Sequence, residues 1–128
     1  MAIVERVKAA NVPIDEIVVI GSGLLDAYGL REANDVDLVA SSRLYAQLKA
    51  DPRFTPEIQH DEEMLVSTGA DVYQTWFGTY DELKADAVEI DGVRFSNPQR
   101  ILDFKKQRNS EKDQRDIALL EAYLNERG

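Results

Sequence analysis

Residues Ile20–Val39 read IGSGLLDAYGLREANDVDLV. The stretch opens on Gly21-Ser22-Gly23 and closes on two aspartates, Asp35 and Asp37, with one valine between them. Before it, IDEIVVI is a short β-branched run that predicts a buried strand over Ile17–Ile20. A turn at Gly21–Gly23 and a short helix over LLDAYGL follow. DVDLVAS then predicts a second strand, whose alternation would turn Asp35 and Asp37 to one face and Val36 and Leu38 to the other.

Two carboxylates on one strand face repel each other, and a divalent cation between them reverses that cost. Oxygen ligands suit Mg²⁺ or Mn²⁺, so Asp35 and Asp37 form a candidate metal clamp. On D-x-D alone a solvated strand face is the favoured reading, because the pattern is short and common. Gly21 and Ser22 bear on the choice. A strand ending in Gly-Ser offers free backbone N–H groups and a hydroxyl to an anion, although ordinary strand-to-helix turns use the same residues.

Outward from this stretch, AIVERVKAA predicts a helix with Ile3, Val4 and Val7 on one face, stopped by Asn11 and Pro13. SSRLYAQLKAD predicts a serine-capped helix burying Leu44 and Leu48. DPRFTPEIQ carries two prolines and reads as loop or edge strand. EEMLVSTGADVYQTWF predicts two strands about Thr68-Gly69, and VEIDGVRF a hairpin turning at Asp91-Gly92. YDELKADA is a short helix between them. SNPQRILDFKKQR starts a helix at Pro98, and Ser110-x-x-Asp113 resembles a capping box before RDIALLEAYL, where Ile117, Leu120 and Leu124 share a face beside Tyr123. The sum is an α+β (mixed α/β) fold: about five short strands in a mixed sheet flanked by helices, with a C-terminal helical pair.

The 128 residues suggest one domain, spanning 1–128. There are no cysteines, which excludes disulfides and thiolate-ligated metals and fits a reducing, cytoplasmic setting. No signal-like core opens the sequence, and no apolar run approaches bilayer length. The formal charge of −9 opposes non-specific binding to nucleic acid or an anionic membrane, and leaves nucleic acid only as an acceptor at a metal site.

Strand, Gly-Ser, short helix, then an apolar-flanked D-x-D resembles the nucleotidyltransferase superfamily, with its polymerase-β-like fold. Ile20, Gly21, Ser22, Asp35, Val36, Asp37 and Leu38 carry the match. At the other end, Asn97-Pro98, Ile101-Leu102, Lys105-Lys106, Arg108, Lys112-Asp113, Asp116-Ile117 and Leu120 are similar to a pattern found in small and abortive-infection-type members. The resemblance spans roughly residues 15 to 124 and is dense at its two ends.

The resemblance implies a third carboxylate on a later strand: Asp71 in ADVYQTWF, with Glu89 in AVEIDG as the competitor. It implies that Asp35, Asp37 and Asp71 hold Mg²⁺ or Mn²⁺, that Gly21 and Ser22 seat the phosphates of an NTP, and that Lys105, Lys112 and Asp113 are secondary candidates near the nucleotide. An NMP group would pass to a hydroxyl of a protein, an RNA end or a small molecule such as an aminoglycoside, releasing pyrophosphate. Helical spacing alone leaves Lys106, Arg108 and Lys112 as solvated charges, with Asp113 and Asp116 capping the helix and pairing with nearby cations.

Family members often carry a second, helical domain, for which this chain has little room. A homodimer or a small helical protein partner would fill that role. The rival function is a catalytically inactive member of the same fold, an antitoxin-like binding module. A dinucleotide fingerprint is disfavoured because its third glycine falls on Asp26, and an aspartyl-phosphate site because the residues before Asp35 are polar. His60, the only histidine, lies in a polar loop, which disfavours a histidine triad or zinc site. Tyr73, Trp76 and Phe77 read as a sheet-face aromatic cluster, with core packing favoured over base stacking.

Overall fold

A computed structural model describes residues 2–127. Seven strands form one mixed sheet: β1 (Ile17–Val19), β2 (Asp37–Ala40), β3 (Thr55–Gln59), β4 (Glu62–Val66), β5 (Asp71–Tyr73), β6 (Val88–Ile90) and β7 (Val93–Phe95). Their order across the sheet is β3-β4-β5-β2-β1-β7-β6. β2 runs antiparallel to β1 and parallel to β5, and β1 runs parallel to β7. Six α-helices accompany it: α1 (Ile3–Ala9), α2 (Gly23–Ala27), α3 (Ser42–Lys49), α4 (Tyr80–Ala85), α5 (Pro98–Arg108) and α6 (Glu111–Arg127). The fold is therefore mixed α+β with a C-terminal helical pair, α5 and α6.

The expected strand count of about five falls short by two. β3 is a full edge strand despite Pro56, because a proline at an edge forgoes only a bond that no neighbour claims. It joins β4 through His60-Asp61, both at positive φ, a two-residue turn with neither asparagine nor glycine to announce it. Asp91-Gly92, also at positive φ, makes the expected turn between β6 and β7.

The two faces of the sheet are unequal. Ile17, Val19, Leu38, Ala40, Val72 and Phe95 point into a large core with residues of α1, α2, α3, α5 and α6, including Ile3, Leu24, Leu44, Ile101 and Leu120. The alternate residues Val18, Ile20 and Val39 meet only Leu83 of α4 and the half-buried Tyr73, Trp76 and Tyr80. The six-residue helix α4 covers only part of this second face, and the rest stays open. That opening is where the site lies.

Local chemistry fixes the helix ends. Ser41 Oγ accepts from Leu44 N–H, and Asn97 Oδ1 from Gln99 N–H ahead of Pro98. Between α5 and α6, Asn109 takes the left-handed conformation and Ser110 and Asp113 exchange reciprocal bonds, a capping box with aspartate in the usual glutamate position.

Candidate functional site

Asp37 is the first residue of β2 and shares the open face with Val39. Directly beside it on the parallel neighbour stands Asp71, its register partner. Asp35 is not on the strand. The ladder begins where Asp71 N–H donates to Val36 O, at 2.9 Å, and Asp35 lies in the exposed bend before it. Asp35 and Asp37 still reach the same cavity while Val36 and Leu38 are buried, but the strand starts two residues later than expected, after a loop that is held from outside. The Arg6 guanidinium donates to Ala33 O and Asn34 O, at 2.6 and 3.1 Å, and the Asp26 carboxylate accepts from Ala33 N–H.

The three carboxylates still sense one another. Burial, then the negative charges of Asp71 and Asp35, push Asp37 up to about 6, with Lys112 pulling the other way. Burial and Asp35 likewise raise Asp71. Glu89 lies on β6, three strands from β2 at the far edge, and is excluded from the cluster by topology. Asp71 is the carboxylate that stands beside Asp37. It opens onto a small hollow with Asp35, Ser67 and Arg6, while Asp35 and Asp37 face a larger cavity. Asp35 thus sits between the two. Among the described residues no group of three or more acidic, cysteine or histidine side chains is placed to hold a metal ion.

The cavity beside Asp35 and Asp37 has a volume of about 400 Å³. Its floor is Ile20, Gly21 and Ser22. Gly21 adopts φ +66°, and a side chain there would point at Asp37 Oδ2 from 3.7 Å. The same cleft is lined by Arg31, Lys105, Arg108 and Lys112. Four of the fifteen cationic side chains of an acidic protein thus line one cleft. The cleft is bipolar in that it carries carboxylates from the start of β2 and cations from α5, α6 and the loop after α2.

The cations differ in commitment. Arg31 and Lys105 both bind Asp116 of α6, Arg31 through two nitrogens at 2.6 and 2.8 Å and Lys105 Nζ at 2.9 Å. Burial opposes ionisation of Asp116, but these bonds outweigh it and hold the carboxyl below its ordinary range. Arg108 chelates Asp113, which is fully buried and held strongly ionised by that guanidinium and by Ser110. Lys105 is itself only 1% exposed. Lys112 is exposed and, among the described residues, makes no ion pair. Of the two predicted lysines, Lys112 is free to meet a ligand, whereas Lys105 is a structural cation whose tip reaches the cleft. Asp113 caps α6 behind the cleft and does not line it.

Ser22 ties this network to the floor. Its Oγ accepts from Arg31 Nη2 at 2.7 Å and from Lys105 Nζ at 3.3 Å. A hydroxyl has two lone pairs and one proton. With both lone pairs engaged, Ser22 can act further only as a donor, which is the role a phosphate oxygen requires.

No family model, curated protein or solved structure matches the chain.

Aromatic side chains close the remaining side. Trp76 packs on Phe104 of α5 at 5.0 Å between centroids, and Phe77 packs on both. Tyr73, Trp76 and Phe104 line the cleft, with Arg108 over the Phe104 ring. The cluster is therefore built around Phe104, a residue the sequence reading missed, and it sits beyond the end of β5. The phenol of Tyr73 is pushed up to about 12 by burial and the nearby aspartates. Arg31 was also missed as a site residue. Its signal was weak: a lone cation in a polar loop, whose partner Asp116 is 85 residues away.

Proposed function

We propose that the cleft is the site of a metal-dependent nucleotidyltransferase with the nucleotidyltransferase-like fold that the sequence resembles, moving an NMP group from an NTP to a hydroxyl acceptor. The observation that carries this reading is the bipolar cleft, in which a raised, mutually repelling Asp37–Asp71 pair with Asp35 is joined by Lys112 and a donor-only Ser22.

The donor chemistry suits a divalent cation, although as they stand the three carboxylates are not gathered into one ligand set. Asp35, Asp37 and Asp71 are hard oxygen donors, and burial together with neighbouring negative charge raises the proton affinity of Asp37 and Asp71. Asp35 bridges the cleft and the Asp71 hollow and would join the other two in holding Mg²⁺ or Mn²⁺. When bound, the cation supplies charge stabilisation to the phosphates and acidifies the acceptor hydroxyl.

The chain's own residues do the rest. The Gly21 backbone admits a phosphate where a side chain would intrude, and Ser22 donates its remaining hydrogen to a phosphate oxygen. Lys112 meets the outer phosphates as a mobile point charge. Arg31 and Lys105 lend positive field without leaving Asp116. As the acceptor oxygen forms its bond to the α-phosphorus, its proton passes to an Asp71 carboxylate oxygen, and the bond to pyrophosphate breaks. The raised proton affinity of Asp71 favours that role. Trp76 and Phe104 offer apolar faces to the base.

The test is a calorimetric titration of each NTP, with and without Mg²⁺ or Mn²⁺, into wild type and Asp37→Asn. Metal-dependent binding that the substitution abolishes is expected. Metal-independent binding, or binding that survives in Asp37→Asn, overturns the site assignment. Metal-dependent binding without transfer to any hydroxyl acceptor would instead favour the antitoxin-like binding module.

A further inference from the structure

Helix α6 has two working faces. Its inner face carries Asp113, Asp116 and Leu120, all buried, which anchor the cleft cations and the core. Its outer face carries Arg115, Ala118, Leu119, Ala122, Tyr123 and Glu126, which with Leu30 form a largely apolar, shallow groove. Leu119 is one of three large apolar side chains that are openly exposed among the described residues, at 37%. Tyr123 is not free to rotate away, because its ring stacks on Tyr28 at 4.2 Å. Together these residues leave a small, ordered, largely apolar face on the outside of a 17-residue helix.

The order of residues along that face indicates what covers it. From one end to the other the sequence is a cation, a small residue, a large one, a small one, a large one and an anion. Any helical face spaced this way maps onto itself when a copy is laid against it antiparallel about a two-fold axis, here passing between Leu120 and Glu121. What is particular to this chain is the chemistry that then meets. Arg115 falls opposite Glu126 of the partner subunit. Ala118 falls opposite Tyr123 of the partner subunit, and Leu119 opposite Ala122 of the partner subunit. Every large side chain faces an alanine, and every charge faces its opposite. Among the described residues neither Arg115 nor Glu126 has an ion-pair partner within its own chain. The charges lie at the two ends of an apolar strip that spans about 16 Å at 1.5 Å per residue, the usual arrangement of a packed centre with a polar rim.

We infer that α6 is a homodimer interface: a second copy of this chain packs its α6 antiparallel on this one, with Leu119 and Tyr123 seated over Ala122 and Ala118 and the Arg115–Glu126 pairs closing both ends. One helix pair with Leu30 at its margin is a small contact, so the dimer is reversible and weak. Because the inner face of the same helix holds Asp116 against Arg31 and Lys105, dimerisation braces the cleft from behind. The inference does not depend on which ligand the cleft takes.

The experiment is sedimentation equilibrium over a wide range of protein concentration, on wild type, Ala122→Arg, Arg115→Glu, Glu126→Arg and the Arg115→Glu/Glu126→Arg double variant. The substituted residues are exposed, so thermal melts of the diluted proteins should coincide, which separates lost dimerisation from lost folding. A concentration-dependent dimer is expected for wild type. Ala122→Arg should weaken it by tenfold or more, as about 1.4 kcal/mol corresponds to one decade. Each single charge reversal sets two like-charged pairs against each other and should weaken it similarly. The double variant should recover the wild-type constant. A wild type that stays monomeric throughout overturns the inference, as does a dimer indifferent to Ala122→Arg, or a double variant no better than the single reversals.

Discussion

Asp37 and Asp71 are register partners on adjacent parallel strands, one the first residue of β2 and the other the first residue of β5. Few arrangements place two carboxylates closer without a hydrogen bond or cation between them. Neighbouring strands lie about 4.8 Å apart, and partners in register share a face. The fold accepts this repulsion at the mouth of the open sheet face, where Asp35 adds a third negative charge.

That repulsion should be measurable as stability. Asp37 rises from an ordinary value near 4 to about 6. Between those values the folded protein holds more protons than the unfolded chain, so stability falls as pH rises through that window and stays lowered above it. In metal-free buffer at pH 7, Asp37→Asn should therefore gain about 2 kcal/mol, somewhat less than the full shift implies because the carboxylate keeps some contact with water. The gain should shrink to about half a kcal/mol by pH 4, where the folded carboxyl is protonated and the unfolded one is about half so, and vanish below that. Urea unfolding of the two proteins at pH 4 and pH 7 tests this. Equal midpoints at pH 7 would mean that the aspartates do not strain the fold.

Breaking the network at α6 should do the reverse. Lys105 is buried against Asp116, and its only other contacts are Ser22 and, at 3.8 Å, Asp113. Asp116→Ala strands a buried ammonium and frees Arg31, at an expected cost of about 3–5 kcal/mol. Adding Lys105→Met should return a large part of that loss, since an apolar side chain of similar length needs no partner. Denaturation of the single and double variants gives the coupling directly. Additive losses would show that Lys105 and Asp116 do not act as a pair.

How far the sequence disclosed this site depends on the separation of the partners. Gly21, Ser22 and Asp37 lie within one local strand–turn–helix–strand unit, whose β-branched run and turn residues declare it. Asp71 was legible because it starts an apolar strand. Asp35 was misplaced by two residues of strand, since the bonds from Arg6 and Asp26 that bend its loop come from distant segments and have no periodicity to reveal them. The β3–β4 turn at His60-Asp61 carried no glycine or asparagine, so the edge strand it forms was half hidden. Phe104 sits on the exposed side of a lysine-rich helix, and only the packing of α5 beside β5 turns it toward Trp76.

Lys112 and Lys105 should separate binding from stability. Lys112 is exposed and unpaired, so Lys112→Ala should leave the urea midpoint within about 0.5 kcal/mol of wild type. It removes one charge-assisted bond to phosphate and should weaken Mg²⁺-dependent ATP binding about tenfold. Trp76 is the sole tryptophan and lines the cleft, so its fluorescence reports the titration without a label. Unchanged affinity in Lys112→Ala would remove that lysine from the site.

Two glycines at the head of α2 are required for different reasons, and substituting each should expose the difference. At Gly23 an added Cβ would come within 2.5 Å of Val19 Cγ1 and 3.5 Å of Ile3 Cγ1, both in the core. Gly23→Ala must therefore push β1 and α1 apart, at a cost of about 1–3 kcal/mol. Gly21 meets no core atom. Its Cβ would stand 3.7 Å from Asp37 Oδ2, an ordinary contact, and its penalty comes from φ +66°, worth about 1–2 kcal/mol for any residue with a Cβ. Stability alone would hardly tell the two apart. Binding should: Gly21→Ala puts a methyl group on the floor of the cleft, between Asp37 and the approach to Ser22, and should lower metal-dependent ATP affinity more than tenfold beyond its cost in folding. Gly23→Ala, measured where it is fully folded, should bind nearly as wild type. If both bind alike, the Gly21 backbone does not touch the phosphates, and its left-handed turn serves only to carry the chain from β1 into α2.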